Sequence, residues 1–198
     1  MRENIPKYTD ILLVGINVSA TSEENRALWS SQKGPWNVWT KGEIFKGYSD
    51  DLKKAVELCN TPPFTNGFIV GFTDMVDIAE TNSNKVKIQG NAREELKRKI
   101  LENKVKNVVL MGDRVIEKFA AVHPSLEKNW EQMIKNKVPY GSKNKSHPAY
   151  GFMGNVKFDD HCVGIYGMPF PTTVPIKDKY KFYKEMIKDL KQKQFQPI

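Results

Sequence analysis

The sequence predicts a single α/β domain over residues 1–198, built on a central, mostly parallel four-stranded sheet flanked by helices. Three observations predict it. Four short apolar runs fail to alternate with polar residues, as strands covered on both faces do. Segments of helical period lie between those runs, the order that produces βαβ units. A chain of 198 residues, 39% hydrophobic and 27% charged, is the size and composition of one folded domain and not of a disordered chain.

The first strand is residues 11–14 (Ile-Leu-Leu-Val), closing on Gly15. The second is residues 67–72, the third residues 107–112 and the fourth residues 163–167. A helix over residues 49–59 has Asp50 and Asp51 in its first turn, where carboxylates favour the helix dipole. Asn91 and Glu94 have capping-box spacing and open a Lys-rich helix through Leu101. Residues 113–122 place Val115, Ile116 and Phe119 on one face. Pro124, suited to the first helical position, starts another helix with Leu126, Trp130, Met133 and Ile134. The last helix, residues 178–193, repeats Tyr183, Met186, Ile187 and Leu190 at helical spacing and is basic on its other face. Residues 135–148 read as a basic loop. In parallel sheets ligands sit at the strands' carboxyl ends, so Gly15-Ile16-Asn17, Thr73-Asp74, Gly112-Asp113 and Met168-Pro169 are the positions to inspect.

Composition narrows the function classes. The net charge of +8 favours a polyanionic partner, although lysines spread along helices are also an ordinary solvated surface. No apolar run reaches the roughly 20 residues of a membrane-spanning helix, so no membrane partner is expected. The first six residues carry no apolar segment of the signal-peptide kind. The two cysteines, Cys59 and Cys162, are too few for a zinc site, so no metal or cofactor is expected and the expected location is the cytoplasm. Trp29, Trp36 and Trp39 crowd one short polar stretch, an unusual density for a surface loop.

Four motifs, in order, resemble the uracil-DNA glycosylase superfamily, closest to its mismatch-specific thymine/uracil branch. Leu13-Val14-Gly15-Ile16-Asn17 resembles that branch's strand followed by Gly-Ile-Asn-Pro-Gly. Gly71-Phe72-Thr73-Asp74-Met75-Val76 resembles Gly-Phe-Thr-Asn-Met-Val. Val108-Val109-Leu110-Met111-Gly112 with Val115-Ile116-Glu117-Lys118-Phe119 resembles the third strand and its helix, and Tyr166-Gly167-Met168-Pro169 the start of the DNA-intercalation loop. The match spans about residues 11–190.

The resemblance implies a uracil-DNA glycosylase-like fold and a monofunctional glycosylase: it flips a pyrimidine nucleotide out of DNA and hydrolyses its N-glycosidic bond, as in base-excision DNA repair. Asn17 is then the catalytic residue. An amide is a poor base, so it orients the water, and stabilisation of the sugar cation and the leaving base does most of the work. Taken without the resemblance, Asn17 reads as a helix N-cap. Asp74 departs from the family's Asn. A carboxylate only accepts hydrogen bonds, and accepting from the cytosine N4 amino group is an expected pairing. The expected substrate is therefore a cytosine-type or modified cytosine base, and a role in antiviral defence against modified phage DNA follows as an extension. A protonated Asp74 still donates to uracil, and a turn-capping role is the plainer reading.

Val18-Ser19 replaces Pro-Gly, loosening the first motif, and Ser19 is a substitute hydroxyl at the base. Asn37 resembles the family's following Asn in its Asn-x-aromatic context, and either Trp29 or Trp36 is the residue that stacks on the base. The loop Met168-Pro169-Phe170-Pro171-Thr172-Thr173-Val174 is Pro-rich where the family is Ser-rich, and lacks its intercalating Arg. Phe170 or Val174 is the expected wedge and Thr172 and Thr173 the expected phosphate contacts. His123-Pro124-Ser125 resembles a motif of another branch but reads as a helix start. The expected partner is DNA and the expected state a monomer. The alternative is a catalytically impaired DNA-binding protein of the same fold. An unrelated α/β enzyme ranks last, since the chain has no Gly-rich phosphate loop and no nucleophile elbow.

Overall fold

The computed structural model describes residues 3–17, 33–46, 61, 64–77, 85–88, 90–140, 145–171 and 178–194. Its strands are β1 (Ile11–Asn17), β2 (Val70–Val76), β3 (Asn107–Met111), β4 (Val138–Tyr140), β5 (Lys145–His147), β6 (Gly151–Phe158) and β7 (His161–Met168). The helices among the described residues are α1 (Lys33–Lys41), α2 (Gly90–Glu102), α3 (Asp113–Ala120), α4 (Pro124–Lys135) and α5 (Tyr180–Gln194). The expected helix over residues 49–59 lies outside the described residues.

The central sheet has five strands in the order β2-β1-β3-β7-β6, not four. β1, β2, β3 and β7 are parallel, as the apolar runs predict, and β6 adds an antiparallel edge. β6 escapes a search for apolar runs because one of its faces meets solvent: Met153, Val156 and Phe158 point inward between exposed Phe152, Asn155 and Lys157. The basic stretch after α4 is likewise not all loop, since β4 and β5 pair there as a separate antiparallel ribbon.

Each face of the sheet carries its own core. On one, Ile11, Leu13, Phe72, Val109 and Met168 pack under α1 and α5 through Trp36, Trp39, Tyr183 and Ile187. On the other, Leu12, Val14, Val108, Leu110 and Ile165 pack under α2, α3 and α4 through Leu96, Ile116, Phe119 and Leu126. The α1–α5 contact is close at Gly42, where a Cβ would lie 2.6 Å from the Tyr183 Cβ. Burying a large apolar side chain contributes about 1.5–3 kcal/mol, so both layers hold the sheet firmly. At the outer edge of β2, Asn4 and Phe72 exchange backbone hydrogen bonds of 3.0 and 2.7 Å, which covers that edge with the N-terminal segment.

Candidate functional site

All four parallel strands end at one edge, at Asn17, Val76, Met111 and Met168. The chain passes from β1 to β2 on one side and then crosses to β3 on the other, so the carboxyl ends of β1 and β3 flank the topological switch point. This is the place where open α/β sheets bind ligands.

Asn17 and Asp74 come together there. Gly15 pairs with Asp74 and Asn17 with Val76 in register. Side chains alternate along a strand, so Asn17 and Asp74 share the sheet face that carries α1 and α5. They stand one register step apart on neighbouring strands, about 8 Å between Cα atoms from strand spacing and rise. Opposite Asp74 is a glycine, which leaves the carboxyl no side chain directly across. Asp74 lies inside β2, not after it, because the strand begins later and runs further than its apolar run suggests.

The electrostatics of Asp74 set it apart. Its Oδ1 is buried and has no hydrogen-bond partner among the described residues, although the residue as a whole keeps partial exposure. Desolvation is the main cause that pushes its carboxyl up to about 7. Asp77 and Glu3 add to the rise and Lys99 opposes it. A buried acceptor without a donor costs roughly 1–3 kcal/mol, so such an atom marks a position where something else binds.

The next strand contributes Gly112, at φ +92° and ψ 147°, whose N–H donates to the Met168 carbonyl at 2.8 Å. A Cβ on it would stand 3.4 Å from the Phe170 Cβ, so the bend and the absent side chain both let the loop after β7 lie close. Asp113 then accepts a 2.7 Å hydrogen bond from the Tyr150 hydroxyl. Burial and that carboxylate raise the Tyr150 phenol above its ordinary range. Tyr150 packs against His147 and Phe182, with ring centroids 5.7 and 5.5 Å away, and ties the β4–β5 ribbon to this edge. Exposed Lys135 and Lys137 lie at the root of that ribbon. The residue pair Asp113–Tyr150 was not found from the sequence; only the position of Asp113 just after a strand points to it, since its partner lies 37 residues away.

Several expected site residues fall elsewhere. Trp36 is fully buried, 5.5 Å from Trp39 and 5.1 Å from Phe45 between ring centroids, so it is core and does not stack on a base. The stretch that holds it is helix α1, which points Trp36 and Trp39 at the sheet from positions three apart. Asn37 is exposed on the other side of that helix. Met168, Pro169 and Pro171 are buried, and Phe170 is partly buried against the α1–α5 core. The Tyr183 hydroxyl donates to the Pro169 carbonyl at 2.8 Å and the Lys179 ammonium to the Pro171 carbonyl at 3.1 Å. The described part of this loop is thus anchored inward, and Phe170 is a packing residue and not a projecting wedge. Burial lowers the Lys179 ammonium to about 8. Ser19, Trp29, Thr172, Thr173 and Val174 lie outside the described residues.

His123 caps the N-terminus of α4 and packs on Phe119 and Phe158 at the sheet's amino edge, away from Asn17 and Asp74. His161 lies there too, with Nε2 2.6 Å from the Val105 carbonyl oxygen. Of the last helix's lysines, Lys181, Lys184 and Lys193 pair with Asp178, Glu43 and Asp189, leaving them less open to phosphate than their number suggests. No described helix is long and apolar enough to cross a membrane.

Compared with known proteins, the chain matches no family model and no curated sequence.

Proposed function

We propose that the protein is a monofunctional DNA glycosylase that removes a cytosine-type or modified cytosine base. The observation that carries this reading is the pair Asn17 and Asp74: an amide and a buried, unsatisfied carboxyl on one sheet face at the carboxyl ends of adjacent strands. In this reading a flipped nucleotide enters the crevice with its base edge toward Asp74 and its sugar toward Asn17. The Asn17 amide orders the water that adds to the sugar carbon as the bond to the base breaks. Its effect is positional, because an amide takes up no proton. Asp74, when ionised, accepts from the exocyclic N4 amino group. Lys135 and Lys137 supply positive charge to the phosphate backbone at the same edge. The partner is DNA and the acting unit a monomer.

The test is a panel of duplexes bearing uracil, mismatched thymine, cytosine and 5-substituted cytosines, cleaved with alkali at abasic sites. Cleavage is expected with a cytosine-type base, and Asn17→Ala is expected to slow it by about 100-fold or more. No product from any duplex overturns the reading.

A second reading, a DNA-binding protein of this architecture without the reaction, draws on one observation. Trp36 belongs to the core, and Phe170 packs against it, so neither serves the flipped base. Salt-sensitive DNA binding with no abasic product supports it.

A further inference from the structure

Asp74 is surrounded by charged groups from three elements. Glu3 comes from the N-terminal segment that covers β2, Lys99 from α2, and Asp77 from the residue following β2. From β1, the residue facing Asp74 is Gly15, which has no charge to offer. Lys99 is held in place: its Nζ lies 2.6 Å from Glu3 Oε2 and donates to Thr73 Oγ1 at 3.1 Å, while Thr73 Oγ1 donates to the same Glu3 oxygen at 3.0 Å. Only 13% of the Lys99 side chain is exposed. Glu3, Thr73 and Lys99 therefore form a fixed unit beside the strand that presents Asp74, and Glu3 tempers the one cation able to stabilise the Asp74 carboxylate.

We propose that Asp74 is a specificity residue whose proton decides which pyrimidine the site accepts. The neutral carboxyl has an O–H donor and a carbonyl acceptor, so it pairs with the O4 and N3–H edge of a uracil-type base, and it tolerates cytosine. The ionised carboxylate has acceptors only. It meets uracil O4 lone pair to lone pair, yet still accepts the N4 hydrogens of a cytosine-type base. Ionisation removes uracil from the substrate set and keeps cytosine. Because burial places the carboxyl's titration near neutrality, the change falls within the range where an enzyme works. The Glu3–Lys99 pair sets its position, as a tuning pair that touches no substrate.

This inference rests on the glycosylase reading, and one experiment separates the two. Single-turnover excision is measured on paired duplexes, one with uracil and one with the cytosine-type base that the panel identifies, from pH 5.5 to 8.5. The cytosine-to-uracil ratio is expected to rise about 10-fold or more between pH 6 and pH 8.5, following loss of the neutral form. Asp74→Asn is expected to flatten the ratio. Glu3→Gln, which removes a negative neighbour and releases Lys99 to act on Asp74, is expected to move the crossover to lower pH. Lys99→Met is expected to move it higher. A ratio that stays constant with pH in the unmodified protein overturns the proposal while leaving the glycosylase reading intact. No product from either duplex at any pH overturns the glycosylase reading itself. The profile of the unmodified protein decides the matter even if a variant fails to fold.

Discussion

Asp10 and Asp74 lie at opposite ends of the β1–β2 pair. At the amino end, Asp10 is 8% exposed and fully engaged. One carboxylate oxygen accepts from the Ile69 N–H at 2.8 Å and the other from the Lys106 ammonium at 2.8 Å, while its backbone carbonyl accepts from the Asn107 amide at 3.0 Å. At the carboxyl end, Asp74 has a buried oxygen with no donor among the described residues. The same side chain thus serves in one place to lock the strands together and in the other is left in want of a partner. The sheet's stability comes from the first end, and its chemical potential for a ligand from the second. The comparison makes opposite predictions for removal of the two carboxyls.

The largest effect belongs to Asp10. Asp10→Ala strips the Ile69 N–H of its side-chain acceptor and the Lys106 ammonium of its partner. Hydrogen bonds to charged groups contribute roughly 1.5–3 kcal/mol each when buried, and less for the half-exposed lysine, so a loss of about 3 kcal/mol is expected. Urea unfolding measures it as a lower midpoint at unchanged slope. A loss under about 0.5 kcal/mol would mean that the amino edge is no more dependent on its aspartate than the other end, and the contrast would collapse.

Asp74→Asn should act in the reverse sense. The folded-state carboxyl titrates near 7 against a model value of 3.8, so between these values the folded protein holds a proton that the unfolded chain has lost. Stability is therefore greatest below about pH 4, falls as pH rises toward 7, and carries the full penalty above it. The amide cannot ionise and escapes that penalty. The variant should be about 2 kcal/mol more stable than the unmodified protein at pH 8, a figure below the full shift because the residue keeps some contact with water, and nearly equal to it at pH 4.5. Paired unfolding curves at the two pH values read the difference. An equal gain at both would assign it to packing and not to charge.

The contrast between the two ends also explains what could be read from the sequence. The four parallel strands announce themselves because burial on both faces demands unbroken apolar residues, and their carboxyl ends follow from that. Asn17 and Asp74 were therefore legible as positions. β6 was not, since an edge strand with a wet face spreads Met153, Val156 and Phe158 among polar neighbours. Trp36 misled for a different reason. A tryptophan set between Pro35 and Asn37 reads as loop chemistry, and only the helix that forms there turns it toward Phe72 and Phe45. The Glu3–Lys99 and Tyr150–Asp113 pairs join residues distant in sequence, and no local pattern encodes them.

The smallest expected effect sharpens the comparison at the switch point itself. Gly112 holds φ at +92°, a conformation that costs a side-chain-bearing residue about 1–2 kcal/mol, and its missing Cβ faces the Phe170 Cβ at an ordinary contact distance of 3.4 Å. Gly112→Ala should therefore cost about 1 kcal/mol through backbone strain, with little steric addition. It touches neither Asp10 nor Asp74, so it should leave the pH dependence of stability unchanged while shifting the β3–α3 bend that faces Asn17 across the switch point. Excision should then slow by more than the stability loss accounts for, because catalysis by positioning is sensitive to small displacements and folding is not. Unfolding curves and single-turnover rates on the same preparation test this. Unchanged excision with a 1 kcal/mol stability loss would place the reacting atoms away from β3, and confine the site to the β1–β2 end alone.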